Sequence, residues 1–139
     1  MGDVPFLTTD EVLEIHDDQI RRYGGAVGIR DIGLLQSAVA MPSTGVGDHY
    51  VHRDVYEMAA AYLFHIVQNH PFVDGNKRTG AVAAMVFLAL NDIRLEAAED
   101  ELEHIVREVA RGRLDKAGVS EFLRDNSRRQ GDAQPSGED

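Results

Sequence analysis

A chain of 139 residues with 14 basic and 24 acidic side chains, net charge −10, is long enough for one domain that buries about two-thirds of its unfolded surface. It has no cysteine, which excludes disulfides, Cys-based zinc sites and a thiol nucleophile and fits a reducing, cytoplasmic setting. So acidic a chain repels a phosphate backbone, and its longest apolar run, Ala81 to Leu90, is too short to span a bilayer; neither free nucleic acid nor a membrane is an expected partner.

The opening "MGDVPFLTTDEV" has no basic stretch before an apolar run, so no secretory signal is expected. "LTTDEVLEIHDDQIRRYGG" then pairs Thr8 as N-cap with Glu11 three positions on, a capping box. Leu13, His16, Ile20 and Tyr23 follow at three- and four-residue spacing, so the first helix should turn these inward and end at Gly24-Gly25. His16 on that stripe reads as a hydrogen-bonded core residue. "DIGLLQSAVAMP" predicts a short helix capped by Asp31 and stopped near Pro42, and "PSTGVGDHYVH" an exposed loop or small hairpin. A third helix, Arg53 to Asn69, and a fourth, Asn76 to Asn91, are apolar nearly all round and should form a central pair. After an "IRLEA" connection, "EDELEHIVREVARG" is amphipathic with Leu102, Ile105, Val106 and Val109 inward, and "DKAGVSEFLRDN" is a last short helix. The expected fold is all-α, a compact bundle of about six helices over residues 1–126. Residues 127–139, "SRRQGDAQPSGED", offer little to bury and are expected to be a disordered C-terminal tail.

Between the two central helices stands "NHPFVDGNKRTG", residues 69–80. Pro71 blocks helix continuation, because a residue before proline is pushed out of the α region. Phe72 should point into the core and anchor the loop. Gly75 can take a positive φ and let successive N–H groups converge at the start of the fourth helix, where the free donors and the positive dipole end favour an anion. Lys77 and Arg78 add fixed positive charge beside it, and a guanidinium can clamp phosphate oxygens. Asp74 is a hard-oxygen ligand suited to Mg²⁺, and His70 carries the side chain suited to a general base near neutral pH. Each residue alone has an ordinary explanation: a His at a helix end, a turn-forming Asp-Gly, an Asn76 N-cap, a solvated Lys-Arg. Together they are the parts phosphoryl or nucleotidyl transfer requires.

"HPFVDGNKRTG" resembles the signature of the Fic/Doc family, and more closely its Doc (death-on-curing) branch. "IHDDQIRRYGG", "GIRDIGLLQSAVAMP" and "VYEMAAAYLFHIVQNHPF" are similar to Doc-type sequence as well. The resemblance implies a type II toxin that uses ATP and Mg²⁺ and phosphorylates a threonine of a protein target such as elongation factor Tu, blocking translation. It also implies roles: His70 as base, Asp74 for Mg²⁺, Gly75, Asn76, Lys77 and Arg78 around the nucleotide phosphates, and a flap near Gly47–His52 that aligns the target.

The AMP-transferring Fic branch has "GNGR" and a second Arg, whereas this chain has Lys77 and Ala81 at the corresponding places. Lys77 would crowd the diphosphate floor, and Ala81 brings no second guanidinium, so the terminal phosphate is expected to face the acceptor. That favours a kinase, with adenylyl transfer (AMPylation) as the alternative. The inhibitory-helix pattern [ST]-x-x-x-E-[GN] is not found, so inhibition is expected from a cognate antitoxin whose C-terminal helix lies in an apolar groove near helix one. A metal-dependent hydrolase is a weaker alternative: His49 and His52 fall in a loop, and His65 and His70 miss a common helix face by about 140°. A degenerate domain that only binds a partner would have lost His70, Asp74 or Arg78, and all three are present.

Overall fold

Local capping chemistry sets where the helices begin. In a computed structural model that describes residues 4–131, α1 runs Thr9–Tyr23. Thr8 Oγ1 accepts from Glu11 N at 3.1 Å and Glu11 Oε1 accepts from Thr8 N at 2.8 Å, closing the expected capping box. Asp31 caps α2, Ile32–Ala40, by accepting from Leu34 N. A 3₁₀ turn, Met41–Ser43, leads into a hairpin of β1 (Gly45–Val46) and β2 (His49–Tyr50), one of the two forms expected there.

α3 spans Val55–Asn69, two residues shorter at its start than expected. Asp54 is its N-cap, accepting from Glu57 N at 2.9 Å, while the Glu57 carboxylate turns back to Arg53. α4 covers Asn76–Leu90, β3 Ile93–Leu95, α5 Glu99–Ala110 and α6 Lys116–Asp125. The last described element, β4, Ser127–Arg129, pairs antiparallel with β3, Ile93 opposite Arg129 and Leu95 opposite Ser127. Residues 127–129, where the sequence reading starts its tail, are thus paired in the structure. Ladder hydrogen bonds rather than side-chain burial hold these three residues, which is why an apolar count misses them. Residues 132–139 lie outside the described residues.

The six helices form a mostly α-helical fold centred on α3 and α4. α3 touches α2, α4, α5 and α6; α4 touches α1, α3, α5 and β3. Small residues allow the close approach: Ala59, Ala60, Ala61, Gly80, Ala83 and Ala84 are all buried on the pair. Around them Leu35, Leu63, Ile66, Phe72, Phe87, Leu88, Val109 and Leu123 complete the core. Tyr62 is wholly enclosed, its hydroxyl accepting from Leu7 N at 2.8 Å, and burial pushes it up to about 12. Ordering of the inner stripe of α1 differs from expectation: Val12, His16, Gln19 and Ile20 are buried, Leu13 only partly, and Tyr23 is 61% exposed because the helix ends there. On α5, Val106 and Val109 are buried, with Leu102 and Ile105 half-covered against the core.

Candidate active site at the α3–α4 junction

His70 ends α3 in the left-handed conformation, φ 50° and ψ 54°, which costs a residue with a Cβ roughly 1–2 kcal/mol. The turn reverses the chain direction at once, and Pro71 prevents another helical residue. Phe72 is fully buried, stacked on the His16 ring at 3.7 Å between centroids and 5° between planes. His16 Nε2 makes a 2.8 Å hydrogen bond with the Asp74 carbonyl oxygen. His16 is thus a buried, hydrogen-bonded residue that braces the loop from α1.

Gly75 is the N-cap of α4 at φ 78°, and a Cβ there would come within 3.1 Å of Ile20 Cδ1. Asn76, read as the simplest cap candidate, is instead the first helical residue and is buried. Its side chain is committed to the loop backbone: Oδ1 accepts from Phe72 N at 2.9 Å and Nδ2 donates to Phe72 O at 3.0 Å. That leaves the Asn76 backbone N–H, with no intrahelical partner, at the start of α4. No side chain caps α4, so the first-turn N–H groups, which have no intrahelical partners, form an open anion-binding end.

The segment between α1 and α2 is knitted to this loop, a set of contacts with no periodic sequence signal. Val73 N donates to Gly28 O at 3.0 Å, and Ile29 and Phe72 form an isolated antiparallel bridge. Arg30 Nε donates to His70 O at 2.6 Å and its Nη2 to Asn69 O at 2.9 Å. Asp74 Oδ2 accepts from Ala26 N at 3.1 Å and Oδ1 from Gly75 N at 2.9 Å. Those two N–H groups, with Arg78 and Lys77 nearby, hold the exposed Asp74 carboxyl below the ordinary carboxylate range. Each oxygen accepts one protein hydrogen bond and keeps a lone pair, so this anionic carboxylate suits a magnesium ion.

Lys77 and Arg78 are exposed beside the helix end, with the Arg78 guanidinium 5.1 Å from the Tyr23 ring centroid. Asp74, Gly75, Asn76, Lys77 and Arg78 line one end of a groove of about 570 Å³. Its bed continues along α1, α4 and α5 through Tyr23, Ala81, Val82, Met85, Leu102 and Val106. His70 is exposed but does not line this groove. The structure thus gathers Asp74 through Arg78 into one lining and leaves His70 outside it. Elsewhere, His65 Nε2 lies 3.1 Å from Lys116 Nζ rather than facing His70. Among the described residues no three His, Asp or Glu side chains gather as a metal cage.

The Fic family model, described as the Fic/DOC family, matches residues 6–88, from α1 to the end of the α3–α4 pair. Over 90 residues the chain is 41% identical to "Toxin Doc" of Mycolicibacterium smegmatis (strain ATCC 700084 / mc(2)155), which covers 63% of this chain and 69% of that protein. Over 118 residues it is 30% identical to "Protein kinase doc" of Escherichia phage P1, covering 85% of this chain and 92% of that one. With the matched region containing every element that builds the junction, the chain belongs to the Fic/DOC family.

Proposed function

We propose that this protein is the toxin of a type II toxin–antitoxin pair, a kinase that moves the γ-phosphate of ATP to a threonine hydroxyl of a protein target such as elongation factor Tu. The observation that carries the reading is the groove end where Asp74, the open first turn of α4, Lys77 and Arg78 converge. The names of the two relatives, one a toxin and one a protein kinase, point the same way.

In this reading a magnesium nucleotide, when bound, would supply the electrophilic phosphorus, and Asp74 would hold the metal. The α4 amides of Asn76, Lys77 and Arg78 receive phosphate oxygens, while the Lys77 and Arg78 side chains offset the charge that builds on them. His70 would accept the proton of the target hydroxyl as its oxygen attacks the γ phosphorus, while the bond from that phosphorus to the β–γ bridging oxygen breaks and ADP leaves. Ala81, which lines the groove, adds no second guanidinium, and Lys77 stands where a glycine would open the floor; both favour the terminal phosphate toward the acceptor. The flap expected near Gly47–His52 then falls on the second half of the hairpin and the two residues after it, and the target chain would lie beside it.

The apolar bed formed by Ala81, Val82, Met85, Leu102 and Val106 is the expected seat of the antitoxin's C-terminal helix. A helix lying there would adjoin the phosphate cradle, which gives inhibition a direct physical route.

Incubation with elongation factor Tu and ATP labelled at either the γ or the α phosphate tests the chemistry. Label on the target from γ alone is expected, and His70→Ala should remove it. Label retained only from the α phosphate would make the enzyme an adenylyltransferase and sink the kinase reading.

A further inference from the structure

We infer that Arg30 is a positioning residue for His70, a role that rests on the reading of His70 as the base. The imidazole is exposed and makes no hydrogen bond among the described residues, so its aim depends on the backbone that carries it. That backbone is in the left-handed region, φ 50°. Two preferences oppose this conformation. A side chain with a Cβ disfavours positive φ, and a residue preceding proline, here Pro71, prefers an extended conformation.

The opposing hold comes from one neighbouring strip of chain. The planar Arg30 fork spans two successive carbonyl oxygens at the end of α3, with Nε to His70 O at 2.6 Å and Nη2 to Asn69 O at 2.9 Å. The backbone N–H groups of Arg30 and Asp31 both reach Pro71 O, at 2.6 and 3.0 Å. The carbonyls of residues 69, 70 and 71 are therefore all held by residues 30 and 31. Their common grip selects the left-handed turn over the extended alternative and fixes where the His70 ring leaves the surface. Arg30 touches neither the cradle nor the groove lining, so its effect should fall on proton removal rather than on nucleotide binding.

The test compares Arg30→Ala and Arg30→Lys with the wild-type chain and with His70→Ala. Displacing a base by about an ångström costs up to roughly a hundredfold, so Arg30→Ala should lower kcat about ten- to a hundredfold while KM for ATP stays within about twofold. Arg30→Lys, which keeps the charge but lacks the planar fork that spans both carbonyls, should fall between. A crystal structure of Arg30→Ala should show His70 leaving the left-handed region. If Arg30→Ala does not fold, Arg30→Gln takes its place in both measurements. An unmoved His70 in the variant, or a kcat per folded molecule equal to wild type while His70→Ala is inactive, overturns the inference. Should wild type transfer no phosphate, the function proposal fails separately, and the His70 conformation still decides this one.

Discussion

His65 lies half-buried at the contact of α3 with α6, where Lys116 Nζ approaches its Nε2 at 3.1 Å. Burial, the Lys116 charge and the nearby His52 push it down to about 4. An unfolded chain takes up that proton near 6.5. Between these values the unfolded state holds more protons, so stability rises as pH goes from about 4 to about 6.5, is complete above that window and is lost on acidification. The contribution is roughly 1–2 kcal/mol after allowance for solvent screening at a half-buried site. Thermal melts from pH 7 down to 4.5 should show a falling Tm, and His65→Leu should flatten the slope; parallel slopes would assign the effect elsewhere. Phe72 makes a second prediction at this scale. Fully buried and stacked on His16, it should cost roughly 3–5 kcal/mol when cut to alanine, as read by denaturant unfolding. The site should fail with it, since the loop loses its anchor.

Between elements, the α3–α4 contact carries the architecture, and Gly80 lies in it with no room for a side chain. A Cβ there would meet Val67 Cγ2 at 2.9 Å and the Leu63 carbonyl at 3.1 Å, and the second of these is backbone. Gly80→Val should therefore destabilise by about 1–3 kcal/mol, despite the helix propensity it gains over glycine. Equilibrium unfolding in urea checks this; an unchanged midpoint would mean the helices can separate freely. Thr8 belongs to the same scale. Its capping box satisfies donors that α1 cannot, and Thr8→Ala should cost about 1 kcal/mol by the same measurement. The start of α3 shows how near the local signals came. Asp54 with Glu57 three residues on has the spacing of a capping box, yet Glu57 turns to Arg53 instead of closing it.

For the molecule as a whole, β4 ties the last described residues to the strand that leaves α4. Arg128 Nε reaches Glu96 Oε1 at 3.3 Å, and Glu96 N donates to Asn126 O at 2.7 Å. Ending the chain at Asn126 should lower stability by about 1–3 kcal/mol, a few ladder hydrogen bonds at roughly 0.5–1.5 kcal/mol each. A melt unchanged by that truncation would support a domain boundary at residue 126. No helix among the described residues is long and apolar enough to cross a membrane, and the groove that holds the candidate site opens on the face shared by α1, α4 and α5.

The amino-acid sequence alone determined the helices with clear caps and periodicity, the central apolar pair, and the crowding of His70, Asp74, Lys77 and Arg78 at their junction. These are local properties, because caps, turns and helix faces are decided within a few residues of each other. Only the tertiary structure decided that Asn76 spends its side chain on Phe72, that His16 braces Asp74 from α1, and that Arg30 grips the end of α3. It also decided that Ser127–Arg129 pairs with Ile93–Leu95. Each of those rests on a hydrogen bond to backbone, and a backbone acceptor looks the same in every residue of a sequence until the fold brings a donor to it.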